Sequence, residues 1–431
     1  MKQNERFREC WEEYTCKNGL RLVLFHKPQF FTSSFLLMTP FGNLDHIQKD
    51  ASGTLYQSPS GVAHFLEHKL FESDHDDVMM EFNRLGANVN ASTSYDMTSY
   101  FFTTPAQEIQ KPLNLLLDFV QQLSITEESV AREQKIILEE LAMYRQDPDS
   151  RLFYEAMKAV YQSHPIRDDI VGTEASIRAI TKSELERAYA RNYHPSRMTL
   201  LAITPQEPRG IIELVEENQS HKSFGDQVAV ERVIEPEPEA VYEPLVNVPM
   251  AIEHPRCAVC FKLPVLEESY SSQLKREWAL RLSLEARFSP INPEYQSWID
   301  TEQITPYFGY DIDCSMDCSF LYFQDESADS QRIYAFVKQQ LEQMKQKPIL
   351  EESLQQMKRR MIGSIIRVMD NPMDMISSWS RGMVRGITIF EECEIVESLD
   401  PKFCLKTVQE ISLNSFSCIN LVPDRENAKN L

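Results

Sequence analysis

Residues 60–71 read SGVAHFLEHKLF, in which two histidines stand four positions apart within an apolar run. On a helix, residues at that spacing lie on one face, so the imidazoles of His64 and His68 can be directed at one point. Ser60 is a residue type that commonly caps a helix N-terminus, and we predict a short helix that begins after it. Glu67, directly before His68, lies beside the same point.

Two imidazoles that converge from one helix face are typical of a zinc site, in which zinc–nitrogen bonds measure about 2.0–2.1 Å. Glu67 would lie close enough to such an ion to act as a general base that takes a proton from an attacking water molecule. A pair of core histidines beside a surface glutamate would show the same spacing. The predicted helix, and a second helix that carries paired carboxylates, favour the metal site over that alternative.

A catalytic zinc site usually takes three protein ligands, so the third has to come from another part of the chain. Residues 124–127 have the form of a capping box and predict a long helix that continues through Tyr144. Glu133 and Glu140 are seven residues apart on this helix, which is two turns and one face. Either carboxylate could then reach a cation that the histidines share.

The residues around the two glutamates support a buried position for them. Ile136 and Ile137 lie between them and indicate an apolar stripe that is directed at the core. Carboxylates on such a stripe are costly to bury unless they bind a partner, and a divalent cation is an adequate one. Glu139 is rotated by about 100° from Glu140 and is expected to face solvent.

The composition limits the classes of partner. The chain has 431 residues and a net charge of −21 at pH 7, which argues against binding to nucleic acid or to an anionic membrane surface. The first residues contain no apolar signal segment, and no later run is long enough for a membrane-spanning helix. We therefore expect a cytoplasmic protein without membrane insertion.

Nine scattered cysteines fit that expectation, because a chain of this size needs no disulfides. The pairs Cys257 with Cys260 and Cys314 with Cys318 could be interpreted as a zinc ribbon. Both pairs lie in strand-like stretches without the turns of a zinc knuckle, and we predict that they are buried free thiols.

The domain organisation follows from a cluster of acidic residues and prolines between Glu235 and Pro244, which disfavours both helix and strand interiors. We predict a first domain at 1–230, a linker at 231–246 and a second domain at 247–431. Strand-like and helical stretches occur in both, which predicts an α+β fold of two similar units, each a mixed, mainly antiparallel sheet packed by helices. All nine histidines lie between His26 and His254, so the second domain is expected to lack a metal site.

Four segments together resemble the inverzincin peptidases of the pitrilysin and insulinase group. They read PSGVAHFLEHKLFE at 59–72, GANVNASTS at 86–94, EQKIILEE at 133–140 and GTEASI at 172–177. The resemblance covers the first domain almost throughout and the second only loosely. It implies that the two units form half of a clamshell chamber.

The resemblance also assigns roles to residues. It implies that His64, His68 and Glu140 bind one Zn²⁺ per chain, that Glu67 is the general base and that Glu133 supports the metal ligands as the second of the paired glutamates. Residues 90–92, which are Asn90, Ala91 and Ser92, match an edge strand whose backbone pairs with an extended peptide. A plain hairpin with a polar face is the alternative for that strand.

The chain departs from the family in its second half. Self-sufficient members carry there an arginine and, seven residues later, a tyrosine, which hold the substrate and polarise its carbonyl. Ile299 and Pro306 stand at the matching positions, and the glycine-rich loop that often precedes them is replaced by residues 287–290, RFSP. We therefore expect a heterodimer in which a homologous, metal-free chain supplies the arginine and the tyrosine.

These residues predict a zinc-dependent endopeptidase for short or unfolded peptides, with the maturation of a leader-bearing peptide as a narrower form of the same activity. A non-catalytic scaffold subunit of the same fold is the alternative. The complete set of ligands and base favours the enzyme, since a scaffold has no physical reason to keep them together. The acidic run at residues 72–77 could favour basic peptides or could be a solvated loop.

Overall fold

The structure is a computed structural model, and it describes residues 1–72, 78–265, 269–315 and 317–424. The chain divides into two compact units. Most of the acidic run at 72–77, for which a preference for basic peptides was considered, lies outside the described residues.

The first unit contains a seven-stranded sheet and a three-stranded sheet. Its strands are β1 (Lys2–Asn4), β2 (Glu9–Thr15), β3 (Arg21–His26), β4 (Thr32–Thr39), β5 (Ile47–Asp50), β6 (Leu55–Gln57), β7 (Asn88–Thr93), β8 (Thr98–Pro105), β9 (Thr199–Thr204) and β10 (Val230–Arg232). The large sheet has the order β1-β2-β3-β9-β4-β8-β7, and the small one has the order β10-β5-β6. All neighbours are antiparallel except β3 and β9, which are parallel.

The second unit contains one five-stranded sheet. Its strands are β11 (Leu245–Met250), β12 (Arg256–Lys262), β13 (Gly309–Cys314), β14 (Ser319–Asp325) and β15 (Phe416–Pro423). Their order is β11-β15-β12-β14-β13, and β11 with β15 is the one parallel pair of this sheet. The large sheet of the first unit and the sheet of the second confirm the predicted α+β class with two units, each built on a mixed, mainly antiparallel sheet.

The helices pack against the sheets of both units. They are α1 (Val62–Leu70), α2 (Val78–Arg84), α3 (Gln110–Val120), α4 (Glu127–Gln146), α5 (Pro148–Val160), α6 (Glu174–Ala179), α7 (Lys182–Asn192), α8 (Pro208–Ser220), α9 (Tyr270–Phe288), α10 (Tyr295–Asp300), α11 (Ser330–Met344), α12 (Glu351–Val368), α13 (Pro372–Arg385), α14 (Ile389–Ser398) and α15 (Pro401–Gln409). Short 3₁₀ turns lie at Pro165–Arg167 and Pro195–Arg197. Among the described residues, no helix has the length and apolar character that crossing a bilayer requires.

The two units do not follow one another simply along the chain. The first consists of Met1–Leu141, Asp169–Val233 and Arg367–Arg385, and the remaining segments form the second. The second segment of the first unit ends at Val233, within the linker predicted at 231–246. The segment Ala142–Asp168, which precedes the predicted linker, groups with the second unit, and Arg367–Arg385, which follows the linker, groups with the first. The consecutive boundaries 1–230 and 247–431 stay a prediction.

The core of the first unit lies between its large sheet and the helices that cover it. Phe35 and Phe102 stack with ring centroids 5.1 Å apart on neighbouring strands, and Phe65 of α1 and Leu116 of α3 are fully buried in the same cluster. Apolar residues that alternate on β4 and β8 therefore fix the face on which α1 lies. That packing holds the histidine-bearing helix against the end of the sheet that carries β7.

In the second unit, the described residues contain no zinc ribbon, the alternative that was set aside for the four paired cysteines. Cys257, Cys260, Cys314 and Cys318 are buried free cysteines on or beside β12, β13 and β14. Burial raises the pKa of the Cys257 thiol to about 12, so the thiol is protonated at neutral pH. The prediction of buried free thiols is confirmed.

Candidate metal centre

Helix α1 begins with a close approach between two backbones. Gly61 has φ +87° and occupies the N-cap position, and a Cβ there would overlap the carbonyl oxygen of Val171. Gly172, with φ +100°, faces the backbone of Ser60 and Gly61 in turn. Only glycine adopts these conformations readily and leaves room for the contact. The prediction that Ser60 caps the helix is wrong, because the chain turns at Gly61 and no side chain caps the helix.

The structure brings the three predicted ligands together. The candidate donor atoms of His64, His68 and Glu140 all lie within 4.8 Å of one another. The Nε2 atoms of His64 and His68 lie 3.6 and 3.4 Å from the two oxygens of the Glu140 carboxylate. Two ligands about 2.1 Å from a tetrahedral zinc ion are roughly 3.4 Å apart, so these separations suit ligands that share one ion better than hydrogen bonds. The residues present therefore fit a zinc ion.

Glu133 supports His68 from the side away from Glu140. Its Oε1 lies 2.9 Å from His68 Nδ1, which is a hydrogen bond and an ion pair when the imidazole is protonated. A carboxylate that binds the second nitrogen of a metal-ligating histidine fixes the tautomer and the ring orientation. The side chain of Lys69 is fully buried, and its Nζ lies 4.0 Å from Glu133, with Glu72 also in contact. Glu133 thus bonds the nitrogen of His68 that points away from Glu140, and its role as a support for a metal ligand stays a prediction.

The two imidazoles have different proton affinities in the metal-free chain. Burial and the neighbouring His68 lower the pKa of His64 to about 4, so His64 is neutral at neutral pH. Burial also lowers the pKa of His68, but the neighbouring carboxylates of Glu133 and Glu140 outweigh this effect and raise the pKa to about 9. A metal ion held by these histidines needs the Nε2 atom of each ring unprotonated. Its binding therefore competes with the proton that raises the charge of His68.

Glu67 lies on α1 with its carboxylate turned toward β7. The hydroxyl of Thr93 donates a hydrogen bond of 2.5 Å to Glu67 Oε2. Burial raises the pKa of Glu67, and the hydrogen bonds from the hydroxyl and the backbone N–H of Thr93 oppose this effect only in part. A raised pKa suits a group that has to accept a proton and return it near neutral pH. Thr93 was not predicted as a site residue, because nothing in the spacing of residues 64–68 indicates which strand residue faces Glu67.

Helix α4 presents its carboxylates as predicted but not its isoleucines. Glu139 is exposed, and Ile137 is buried at 1% exposure, in agreement with the sequence. Ile136 is 51% exposed, so the expectation that both isoleucines line a buried stripe is wrong for this residue. The helix begins at Glu127 because Thr126 and Ser129 form the reciprocal cap, with each side chain bonded to the other's backbone N–H, and not residues 124 and 127.

Residues 88–93 form the last strand of the seven-stranded sheet. Strand β7 pairs with β8 alone in the described sheet, with Asn90, Ala91 and Ser92 opposite Phe101, Tyr100 and Ser99. The backbone N–H of Ala91 donates to the side chain of Asn90, 2.8 Å away, so this donor faces the open edge. The strand is thus an edge strand with an exposed backbone donor, and its last residue, Thr93, bonds Glu67.

The second unit has apolar side chains at the two positions where self-sufficient members of the family carry an arginine and a tyrosine. Ile299 lies on α10 and packs against the second core, and Pro306 lies exposed in the turn before β13. Neither side chain can donate a hydrogen bond to a carbonyl oxygen. Within the described residues of both units, the cluster of His64, His68 and Glu140 is the one group that could hold a metal ion.

Two family models match consecutive parts of the chain. Residues 51–174 match the insulinase family, peptidase family M16, and residues 179–361 match the M16 inactive domain. The first match contains every predicted site residue. The second match begins after these residues and covers most of the second unit, in which the described residues contain no metal cluster.

Individual relatives agree with the family models. The chain is 29% identical over 421 residues to YmfH of Bacillus subtilis (strain 168), which is called an uncharacterised zinc protease, and this covers 97% of the chain and 98% of YmfH. It is 27% identical to a solved structure described as an M16-like peptidase from Alicyclobacillus acidocaldarius, with a TM-score of 0.89 over 96% of the chain and 99% of that structure. The periplasmic protease PqqL from Escherichia coli shares the fold with a TM-score of 0.74 at 18% identity, and the match covers 100% of this chain and 49% of PqqL.

Proposed function

The chain belongs to the insulinase family of peptidases, family M16, whose relatives are named zinc proteases, and on that premise we propose that it is a zinc-dependent endopeptidase. Its substrates are short or unfolded peptides, which it cleaves in a closed chamber. It carries one zinc ion per chain, bound by His64, His68 and Glu140. The convergence of these three side chains beside Glu67 is the observation that carries the proposal.

Each residue of the site has a task in peptide hydrolysis. The zinc ion, when bound, supplies the Lewis acid that activates water and polarises a peptide carbonyl. Glu67 takes the proton of the attacking water and delivers it to the leaving amine. Glu133 keeps the imidazole of His68 turned toward Glu140 through the bond to Nδ1.

The open edge of β7 is the proposed place for the peptide. An extended peptide that adds to this edge as a further strand would receive main-chain hydrogen bonds from residues 90–92. The N–H of Ala91, now bonded to the side chain of Asn90, is available to the peptide if that side chain turns away. Thr93, at the end of the same strand, bonds the base, so the added strand would run next to Glu67.

We also propose that the active form is a heterodimer. Ile299 and Pro306 offer no donor for a developing oxyanion, so a homologous, metal-free chain has to supply the arginine and the tyrosine. A scaffold subunit of the same fold remains the alternative function, and the presence of all three ligands, the base and the histidine-supporting glutamate favours the enzyme.

The test is cleavage of a quenched fluorogenic peptide library by the zinc-loaded chain, alone and mixed with a purified homologous chain that has the arginine and tyrosine. We expect little cleavage by either chain alone and at least a tenfold gain on mixing. Full activity of the isolated chain would refute the heterodimer. No cleavage by any mixture with metal-loaded chain would favour the scaffold.

Glu67→Gln is the matched test of the chemistry. It keeps the size of the side chain and removes its basicity, so the zinc content should stay at one per chain while cleavage falls by about 10²–10⁴-fold. Zinc is measured by elemental analysis after dialysis, and cleavage under the conditions of the mixed assay. A metal-loaded variant that retains wild-type turnover would remove Glu67 from the mechanism.

A further inference from the structure

We propose that Thr93 is a positioning residue for Glu67: its hydroxyl fixes the carboxylate of the base at the end of the strand that takes the peptide. The inference rests on the proposed peptidase function for its catalytic consequence. Its structural part, that the hydroxyl sets where the carboxylate points, stands independently of that function. Neither the family models nor the named relatives assign a role to this residue.

The hydrogen bond between the two side chains is short and directed. Thr93 Oγ1 lies 2.5 Å from Glu67 Oε2. A hydroxyl that donates to a carboxylate forms one of the shorter and stronger hydrogen bonds in proteins. Glu67 is largely enclosed, so the bond is shielded from competing water and holds more firmly than a bond at the surface.

The surroundings of Thr93 leave its proton for Glu67. The second hydroxyl within reach is that of Thr98, whose Oγ1 lies 3.4 Å away on β8. Thr98 is fully buried, and its own proton goes to the carbonyl oxygen of Phe41 at 2.8 Å. The much shorter distance to the carboxylate, compared with that to Thr98, indicates that the single proton of Thr93 is donated to Glu67.

The strand makes Thr93 a rigid support. Thr93 pairs with Thr98 across the β7–β8 ladder, so its backbone is held on one side. Its β-branched side chain has few accessible χ1 rotamers, which limits the positions of the hydroxyl. Glu67 has three rotatable bonds on α1 and needs such a partner if its carboxylate is to keep one orientation.

The position of Thr93 in β7 joins two parts of the proposed reaction. Residues 90–92 form the part of the strand on which the peptide is proposed to pair, and Thr93 is the next residue. The base and the peptide are therefore aligned to one strand. An error in the placement of the carboxylate by about 1 Å can lower a rate by roughly 100-fold, so a hydroxyl that fixes it has a measurable effect.

The experiment compares Thr93→Val, which replaces the hydroxyl with a methyl group of similar size, with Thr93→Ser, which keeps a hydroxyl. Crystal structures of the zinc-free chain are determined for both variants and for the wild type. We expect the Glu67 carboxylate to keep its place in the Ser variant and to leave it, or to occupy several positions, in the Val variant. An unmoved carboxylate in Thr93→Val would overturn the proposal, whatever the activity.

Kinetics with the partner chain present then measure the catalytic consequence. Thr93→Val should lower kcat by about 10- to 100-fold with KM unchanged, and Thr93→Ser should recover most of the loss. Thr103→Val is the matched control, because it also removes a hydroxyl from this hairpin. The hydroxyl of Thr103 lies 3.0 Å from that of Ser34 and does not bond Glu67. The control should leave kcat within about twofold of the wild type.

Peptide binding separates positioning of the base from a defect in the strand. In the Glu67→Gln background, which binds but does not cleave, Thr93→Val should leave the dissociation constant of a peptide unchanged. A tenfold weakening there would assign Thr93 to the peptide and refute the proposal. If the carboxylate moves as expected while the wild-type pair cleaves no peptide, the proposed function fails and the positioning role stands.

Discussion

Buried charges are arranged in opposite ways in the two units. In the first, the Nε2 atoms of His64 and His68 lie 3.6 and 3.4 Å from the Glu140 carboxylate, beyond the usual length of a hydrogen bond. In the second, the buried Lys262 lies 2.7 Å from Glu237 and 2.6 Å from the carbonyl oxygen of Pro238. One cluster has the spacing of ligands around a common ion, and the other is complete without one.

The second cluster also explains how the predicted linker is held. The carboxylate of Glu237 accepts the backbone N–H groups of Gln162, Ser163 and His164 in addition to Lys262. The acidic and proline-rich segment is thus held to the second unit by the carboxylate of Glu237 and by the carbonyl oxygen of Pro238. Buried charge alone therefore does not indicate a functional site, whereas candidate ligand atoms that converge at the spacing of a shared ion are a reason to propose one.

Among the variants that test this difference between the two clusters, removal of the Glu140 carboxylate is expected to have the largest effect. Glu140→Gln should weaken zinc binding by more than the roughly 10–100-fold that loss of a ligand's hydrogen-bond partner costs, because it removes a charged ligand. Glu139→Gln, one residue away and exposed, should bind zinc like the wild type. Both affinities are measured by competition with a chromophoric chelator. Equal affinities for the two variants would show that the carboxylate is not a ligand.

A smaller effect is expected at Glu237, where stability changes and metal binding does not. Glu237→Gln should lower the free energy of unfolding of the chain at pH 7 by about 2 kcal/mol, as expected for charged hydrogen bonds, with zinc content unchanged. Glu239→Gln, exposed in the same segment, is the control and should change it by less than about 0.5 kcal/mol. Urea unfolding measures both.

The same pair of variants has a defined pH dependence. Burial raises the pKa of Glu237, but the hydrogen bonds from Lys262 and the backbone outweigh this effect. The pKa is about 2, below its ordinary value of 4.5. The ionised carboxylate therefore stabilises the fold fully above pH 4.5, and this contribution is lost as the pH falls from there toward 2. The difference between wild type and Glu237→Gln should shrink over that interval, and a constant difference would contradict the assignment.

The smallest effect concerns the start of the helix that carries Glu133 and Glu140. Thr126→Ala removes the observed cap and should cost about 1 kcal/mol, whereas Ser124→Ala, at the position that the sequence favoured, should cost less than about 0.5 kcal/mol. Thermal unfolding distinguishes them. Zinc affinity should be unaffected in both, because Glu133 lies almost two turns beyond the cap. A larger loss of stability in Ser124→Ala than in Thr126→Ala would show that Ser124 caps the helix.

Local spacing predicted much of the site. The four-residue interval between His64 and His68 and the seven-residue interval between Glu133 and Glu140 are properties of a helix, and the structure has both. Polar and apolar residues also alternate from Asn88 to Ser92, which is typical of a strand, and the family resemblance placed residues 90–92 on an edge strand. These features depend on the residues of one element and so can be deduced from the order of the chain.

Other features depend on distant parts of the chain and were not deduced. The left-handed turn at Gly61 is required by its contact with Val171, and Thr93 reaches Glu67 only because β7 lies beside α1. The grouping of Arg367–Arg385 with the first unit arises from packing of α13 on the large sheet, where Trp379 contacts Trp11 and Phe25. Tertiary contacts of this kind leave no periodic signal in the sequence.

The place of β9 in the large sheet sets the order of events during biosynthesis. Strand β9 lies between β3 and β4, so these two early strands remain unjoined until residues 199–204 have left the ribosome. Gly172, which fixes the start of the histidine helix, also emerges more than 100 residues after His68. The nascent chain therefore exposes its histidines long before their third partner is in place, and we expect metal capture to follow completion of the first unit.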